Sequence, residues 1–274
     1  MLRVILLPVL AVVGGVGGFF LRRWELATAF EAETGLAIPG APATVALIVL
    51  SVVVAAAFAL LCRGKHSQLG GYDDAFAARG SWPYLILTAL GAIALLLSGG
   101  ITLVTFFRQE LSSLPRFFLA LLCLAACVCV LLVAANNFLG RKKGKYSFAL
   151  LVPAYMCCLW LVTAYLQYAG DPVVLDYVYE LFAIIAALLG LYFAAGFAFE
   201  RAKVWRCAFF CLLSVYFSLV TQADEHELFD TLLLYFVIFY QLAASAVLLY
   251  HAFAAKPGPG PDAGDQTQEV PQDV

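Results

Sequence analysis

The sequence has little charge. Only 12% of its 274 residues are Asp, Glu, Lys or Arg, whereas 64% are hydrophobic. Soluble globular proteins have about 25% charged residues, because water must wet their surface. The low charge therefore excludes an ordinary water-facing fold, and we expect a lipid bilayer to cover most of the chain. The formal net charge of −2 is uninformative as a total, because in a membrane protein the placement of charge matters, and nothing in the sequence supports nucleic-acid binding.

Histidine and catalytic motifs are also scarce. His66, His226 and His251 are the only histidines, and all three fall near the predicted membrane surfaces, so a buried histidine-based catalytic centre is hard to build. The chain lacks the HExxH motif of metalloproteases, the GxSxG nucleophile elbow and the phosphate-binding P-loop. We therefore predict no catalytic residues, no metal and no cofactor. An interfacial lipid enzyme is the least favoured alternative.

What the sequence does contain is a series of long apolar stretches. Each approaches the length of about 20 residues with which a helix crosses a bilayer. They predict an all-α fold, a polytopic helical membrane bundle of about eight transmembrane helices within residues 1–255. Residues 256–274 are polar, acidic and rich in Pro and Gly, which predicts a disordered cytoplasmic tail. The predicted spans are 4–21, 44–62, 83–107, 117–136, 148–168, 176–199, 207–221 and 228–254.

The distribution of Lys and Arg predicts the orientation. If the N-terminus is cytoplasmic, twelve of the 16 basic residues lie on the cytoplasmic side, and the other side keeps only four. Because cytoplasmic loops of membrane proteins are enriched in Lys and Arg, both termini are predicted to be cytoplasmic. Short loops and richness in Ala, Leu and Val indicate a bacterial cytoplasmic membrane. The four basic residues on the other side are Arg22, Arg23, Arg108 and Arg116.

The first span and the segment after it need separate predictions. Bulky residues at 19–21 argue against cleavage of the first span as a signal peptide, so we expect a retained helix. In the following segment, 22–33, the residues Trp24, Ala27 and Phe30 are spaced to share a helix face. This spacing predicts an amphipathic helix that lies flat at the headgroups, with an irregular loop as the alternative.

Carboxylates concentrate in the connections before the sixth and the eighth spans, which contain no Lys or Arg. Asp176 and Glu180 are four residues apart and are predicted to share a helix face, with Glu180 at the edge of the hydrocarbon. A carboxylate at that depth costs a few kcal/mol unless it is paired or hydrated, so it indicates an ion site or a structural pair. The other carboxylates of these connections are Asp171, Asp224, Glu225, Glu227 and Asp230. Asp224 to Asp230 together with His226 could hold a hard or borderline metal, and a solvated loop is the alternative.

Polar side chains also occur inside the predicted spans. Gln241 lies near the middle of the last span, and such a group must find a partner or water. Residues of this kind either line a polar cavity or form hydrogen bonds between helices, worth about 0.6 kcal/mol each. The candidate substrate-binding or ion-binding residues are therefore Glu180, Asp176, Gln241, Gln222, Asp224 and Glu227.

Small residues at four-residue spacing predict close helix packing. Gly14 and Gly18 form a GxxxG step in the first span, and Gly190 lies at the centre of a similar step in the sixth span. Packing within the chain is the simpler expectation, and packing against a second copy is the alternative.

These patterns predict a small permease or channel-like protein for a cation or small solute. The alternative is a non-catalytic subunit, sensor or scaffold of a membrane complex. The expected partners are the lipid bilayer and the transported cation or solute. A second copy or a membrane partner protein is the alternative partner.

Overall fold

The computed structural model describes residues 2–31, 34, 36–63, 69, 71–108, 114–140, 147–170 and 173–253. In this part of the chain the structure is helical and contains no β-strand. Eight helices are long and apolar enough to cross a membrane. The prediction of eight spanning helices is confirmed, and the chain is a multi-pass integral membrane protein. The predicted tail, 256–274, lies outside the described residues.

Long uninterrupted helices are the expected solution in lipid, because a helix satisfies its own backbone hydrogen bonds. Helix α4 passes through Gly99 and Gly100, and α6 passes through Pro153, without a break. Three short 3₁₀ helices, Val174–Asp176, Phe197–Phe199 and Thr221–Ala223, adjoin the long helices. The α-helices are α1 (Leu2–Thr28), α2 (Pro42–Cys62), the single turn α3 (Tyr72–Ala75), α4 (Trp82–Arg108), α5 (Leu114–Leu139), α6 (Ser147–Tyr168), α7 (Val178–Gly196), α8 (Val204–Val220) and α9 (Leu228–Phe253).

Helices α8 and α9 form the centre of the bundle. In each of them 67% of the most apolar stretch is buried inside the protein, against 22% in α1 and 28% in α2. Helix α9 packs against α1, α4, α7 and α8, and α8 also contacts α1, α2 and α7. Helices α1 and α2 therefore present most of their surface to lipid, while α8 and α9 present least.

Helix α1 differs from the prediction at its C-terminal end. It continues to Thr28 as one helix, so the predicted separate helix that lies flat at the headgroups is wrong. Trp24 and Ala27 lie on the exposed side of α1 and Phe30 falls beyond its end, whereas Arg22 and Glu25 are fully buried. The physical reason is that Arg22 pairs with Asp224 in another part of the bundle and Glu25 pairs with Arg22 on the same helix, which holds this end of the helix in place.

The glycines of the predicted packing steps lie where helices of this chain cross. A Cβ on Gly18 would lie 2.5 Å from Val220 Cγ2 of α8, and one on Gly14 would lie 3.3 Å from Val54 Cγ2 of α2. At Gly190 a Cβ would lie 3.0 Å from Gln241 Nε2. These glycines allow α1 and α7 to approach their neighbours closely.

The two ends of the bundle have different charge. At one end, which we call the basic end, the guanidinium groups of Arg63 and Arg206 lie 5.3 and 5.4 Å from the centroid of the Trp205 ring. Arg3 lies 5.9 Å from the ring of Phe253 at the same end. Such cation–π contacts are each worth about 0.5–1 kcal/mol at exposed sites. The opposite end, where α1 ends and α9 begins, is called the acidic end.

Candidate functional site: a buried ionic cluster at the acidic end

Arg22 is the cation at the centre of the acidic end. Its Nη1 donates a hydrogen bond to Glu25 Oε2 and its Nε donates to Asp224 Oδ1, both at 2.7 Å. Its Nη2 donates to the backbone carbonyl of Asp176 at 3.1 Å. The guanidinium also lies 5.1 Å from the centroid of the Tyr179 ring. Arg22 thereby connects α1 with α7 and with the connection between α8 and α9.

Thr221 links Asp224 to His226 by hydrogen bonds. The Thr221 hydroxyl donates to Asp224 Oδ2 at 2.8 Å, and His226 Nε2 lies 2.7 Å from the Thr221 carbonyl and 3.1 Å from its hydroxyl oxygen. Because both Thr221 oxygens accept at this point, Nε2 carries the hydrogen. Burial raises the pKa of Asp224 above its ordinary value, and the neighbouring Arg22 guanidinium opposes that rise.

The other ring nitrogen of His226 faces Glu180. His226 Nδ1 lies 3.6 Å from Glu180 Oε2, and the Tyr168 hydroxyl donates to the same carboxylate oxygen at 2.7 Å. With the hydrogen fixed on Nε2, a neutral ring would turn a lone pair toward the carboxylate. One proton on either group makes the contact attractive instead. Glu180 Oε2 therefore faces both the Tyr168 hydroxyl and the His226 ring.

Asp230 completes the cluster on α9. Its Oδ1 accepts a hydrogen bond from Trp160 Nε1 at 3.0 Å, and both side chains are buried. The buried ionic cluster thus consists of four carboxylates, one guanidinium and one imidazole. Among the described residues, Glu25 Oε1 has no hydrogen-bond partner. The members of the ionic cluster are Arg22, Glu25, Glu180, Asp224, His226 and Asp230.

The cluster includes some of the predicted residues and leaves others out. Glu180 and Asp224 belong to it. Asp176 contributes its backbone carbonyl, but its predicted stacking with Glu180 on one helix face is wrong, because a 3₁₀ helix ends at Asp176 and α7 begins at Val178. Asp171 lies outside the described residues. Glu227 is exposed and accepts two hydrogen bonds from Arg116, at 2.8 and 3.0 Å.

The two predicted glutamines lie in different places. Gln241 is 11 residues beyond Asp230 on α9, about 16 Å along the helix. Its Nε2 donates to the Ala187 carbonyl of α7 at 3.0 Å, so it bridges two helices deep in the bundle. Gln222 lies in the 3₁₀ turn after α8, next to the cluster. Its Nε2 is buried and has no hydrogen-bond partner among the described residues.

Sequence reasoning missed four members of the cluster as site residues. His226 was expected near a membrane surface, yet 95% of its side chain is covered. Arg22 and Glu25 were assigned to a surface helix. Asp230 and His226 enter the prediction only as part of a possible metal site in the connection before the last span. A usable signal existed, because an Arg and a Glu three residues apart continue an apolar helix, and charged groups in such a segment usually mark a paired or functional site.

The cluster combines several carboxylates with one imidazole. In the part of the chain that the structure describes, no group of three or more His, Cys, Asp or Glu side chains is placed to hold a metal ion. No family model, no curated protein and no solved structure matches the chain.

Proposed function

We propose that this protein is a small permease whose acidic end takes up a cation, in the first place a proton. The observation that carries the proposal is the excess of buried carboxylates. Glu25, Glu180, Asp224 and Asp230 are buried together, and Arg22 is the single guanidinium among them. With all four carboxylates ionised and His226 neutral, the cluster would have a formal charge of −3.

An excess of this size is expensive to bury. The effective penalty for removing one ion from water is several kcal/mol, and Arg22 compensates at most the two carboxylates that it contacts. The remaining carboxylates, Glu180 and Asp230, contact no guanidinium among the described residues, and only the exposed Arg116 acts on Asp230 from a distance, which favours the uptake of protons or another cation. Groups of Asp, Glu and His at membrane depth are the usual components of proton relays in pumps and transporters.

The geometry favours a proton over a larger ion. His226 Nδ1 and Glu180 Oε2 are 3.6 Å apart, so a proton carried by either atom faces the other. The Tyr168 hydroxyl holds that same oxygen of Glu180. Since Glu180 stands on α7 and His226 on the connection between α8 and α9, a change in protonation alters the attraction between these elements. Such a change can couple cation uptake to a movement of helices.

We also propose that the basic end faces the cytoplasm, so that both termini are cytoplasmic. Of the four basic residues on the opposite side, Arg22 is buried with its own counter-ions. Only the other three, Arg23, Arg108 and Arg116, add positive charge there, which strengthens the bias of Lys and Arg toward the basic end. The short loops and apolar composition favour the bacterial cytoplasmic membrane as its location.

The test is thermal unfolding of the detergent-purified protein against a panel of cations. The unfolding midpoint Tm is measured between about pH 8 and about pH 6, where histidine titrates, and with Li⁺, Na⁺, K⁺ and Mg²⁺ at matched ionic strength. A cation that binds the native state raises Tm by mass action. We expect the wild type to be stabilised by protons or by one of these cations, and Glu180→Gln to lose most of that response.

Glu227→Gln is the matched control, because it removes a carboxylate from the same end whose side chain is 54% exposed. It should respond like the wild type. In proteoliposomes the wild type should conduct protons, or the cation that stabilises it, and Glu180→Gln should not. Equal responses of Tm in all three proteins, together with no flux above empty liposomes, would contradict the proposal.

The second candidate is a non-catalytic membrane module that binds a partner protein. The observation in its favour is that polar groups deep in the bundle bond to neighbouring helices. Gln241 donates to the Ala187 carbonyl, Ser98 donates to the Phe229 carbonyl, and Ser51 and Tyr216 bond to each other. These contacts join helices as structural hydrogen bonds do. A co-purifying membrane protein together with a flat cation response would favour this candidate.

A further inference from the structure

A second site lies at the basic end, far from the ionic cluster. Helices α4 and α9 and the segment before α4 border an open groove of about 550 Å³. Its volume is within the range of about 300–1,000 Å³ that is usual for small-molecule sites. The deeper walls are apolar and include Leu87, Ala243 and Val247.

The rim of the groove is polar and carries positive charge. It is formed by Arg79, Ser81 and His251. The exposed Arg79 donates from Nη2 to the Gly140 carbonyl at 3.0 Å, which fixes the guanidinium, and its other donors have no hydrogen-bond partner in the part of the chain that the structure describes. His251 Nε2 lies 2.7 Å from the Ala77 carbonyl and therefore carries a hydrogen, so the ring is held in place at the rim.

Aromatic residues place this rim at the level of lipid headgroups. Trp82 is 65% exposed at the start of α4, and Tyr250 is 54% exposed next to His251. Exposed Trp and Tyr side chains are typical of the boundary between membrane and water. From His251 to Ala243 the groove descends about 12 Å along α9 into the apolar layer. The groove thus has a cationic mouth and an apolar shaft.

We propose that the groove binds one anionic phospholipid, with the phosphate at Arg79 and the Ser81 hydroxyl and an acyl chain along Leu87, Ala243 and Val247. Charge complementarity selects this occupant, because basic pockets between membrane helices bind anionic headgroups. The apolar shaft selects a lipid over free phosphate. Ala243 and the neighbouring Ala246 have small side chains, which leaves space beside α9 for an acyl chain. The site is independent of the ionic cluster and of the proposed transport function.

The test compares lipids on the full-length protein in detergent. Phosphatidylglycerol, phosphatidylcholine and inorganic phosphate are added separately, and retained lipid is measured by native mass spectrometry together with Tm. We expect phosphatidylglycerol to be retained and to raise Tm, whereas phosphatidylcholine and phosphate do neither. Arg79→Gln should weaken phosphatidylglycerol binding roughly fivefold, the effect of one basic side chain near an anionic lipid.

Two further variants separate the site from general electrostatics. Arg63→Gln removes the same charge from the same end at a place outside the groove, so it should retain phosphatidylglycerol like the wild type. Ala246→Phe should fill the shaft and prevent retention. Equal retention by Arg79→Gln and the wild type would overturn the proposal, and so would full stabilisation by inorganic phosphate alone.

Discussion

The acidic end contains two ion-pair sites with almost the same geometry and very different surroundings. Arg22 contacts Glu25 and Asp224 at 2.7 Å, with side chains that are 1%, 0% and 9% exposed. Arg116 contacts Glu227 at 2.8 Å, with side chains that are 32% and 54% exposed. Water and salt reach the second site and not the first. Burial therefore decides what each Arg contributes, and distance does not.

The two sites differ in two respects: whether the ion pair is buried, and whether the charges around it balance. An exposed pair gains little, because water already solvates both ions and dissolved salt screens them. A buried pair gains little over a well-packed apolar core, yet it is costly to break, because the remaining partner keeps its charge without solvent. In the ionic cluster the balance is also unequal, since four carboxylates share one guanidinium.

The largest effect is expected for Arg22→Gln, which leaves Glu25 and Asp224 buried without their cation. We expect a loss of about 3–5 kcal/mol in the free energy of unfolding, the usual cost of breaking a buried pair. Chemical denaturation or a fall in Tm measures it. Arg23→Gln is the matched control, because Arg23 is the exposed neighbour on the same helix, and its effect should stay within about 0.5 kcal/mol. Similar losses in the two variants would contradict the comparison.

A smaller effect of opposite sign is expected for Asp230→Asn. The amide keeps an oxygen that can accept from Trp160 Nε1 and removes one negative charge from the side of the cluster that Arg22 does not contact. Relief of repulsion from Glu180 should stabilise the protein by an amount on the order of 1 kcal/mol. The same denaturation experiment measures it. A loss of stability comparable to that of Arg22→Gln would mean that the charge of Asp230 has a bound cation as its partner.

The spanning helices could be predicted from the sequence because their signal is local. About 20 consecutive apolar residues are sufficient to identify each of them. The end of α1 could not be predicted in the same way. Arg22 continues the helix in a buried position because Asp224 is its partner, and that residue lies 202 positions away in the chain. A local pattern of charge gave no indication of a contact at that distance.

The same limit applies to the site. Glu180 was predicted because a carboxylate at membrane depth is unusual on its own. His226 was not, because its burial depends on the 3₁₀ turn Thr221–Ala223, which brings the ring back beneath Thr221. Gln241 is equally unusual in sequence, but its environment of two close helices makes it a bridge to Ala187. Depth in the membrane thus identified polar residues that need a partner, whereas the kind of partner depended on the fold.

The smallest effect is expected for Arg116→Gln, which removes the cation of the exposed ion pair. Arg116 pairs with Glu227 and also donates from Nη2 to Gln167 Oε1 at 2.8 Å. Because this site is exposed, we expect a loss of only about 0–1 kcal/mol in the free energy of unfolding. A double-mutant cycle with Glu227→Gln isolates the pair, and its coupling energy should vanish in about 1 M salt, where the screening length is about 3 Å. The coupling of Arg22 to Asp224 should persist in that salt. If both couplings respond equally to salt, water reaches Arg22, and the excess of buried negative charge on which the transport proposal depends is absent.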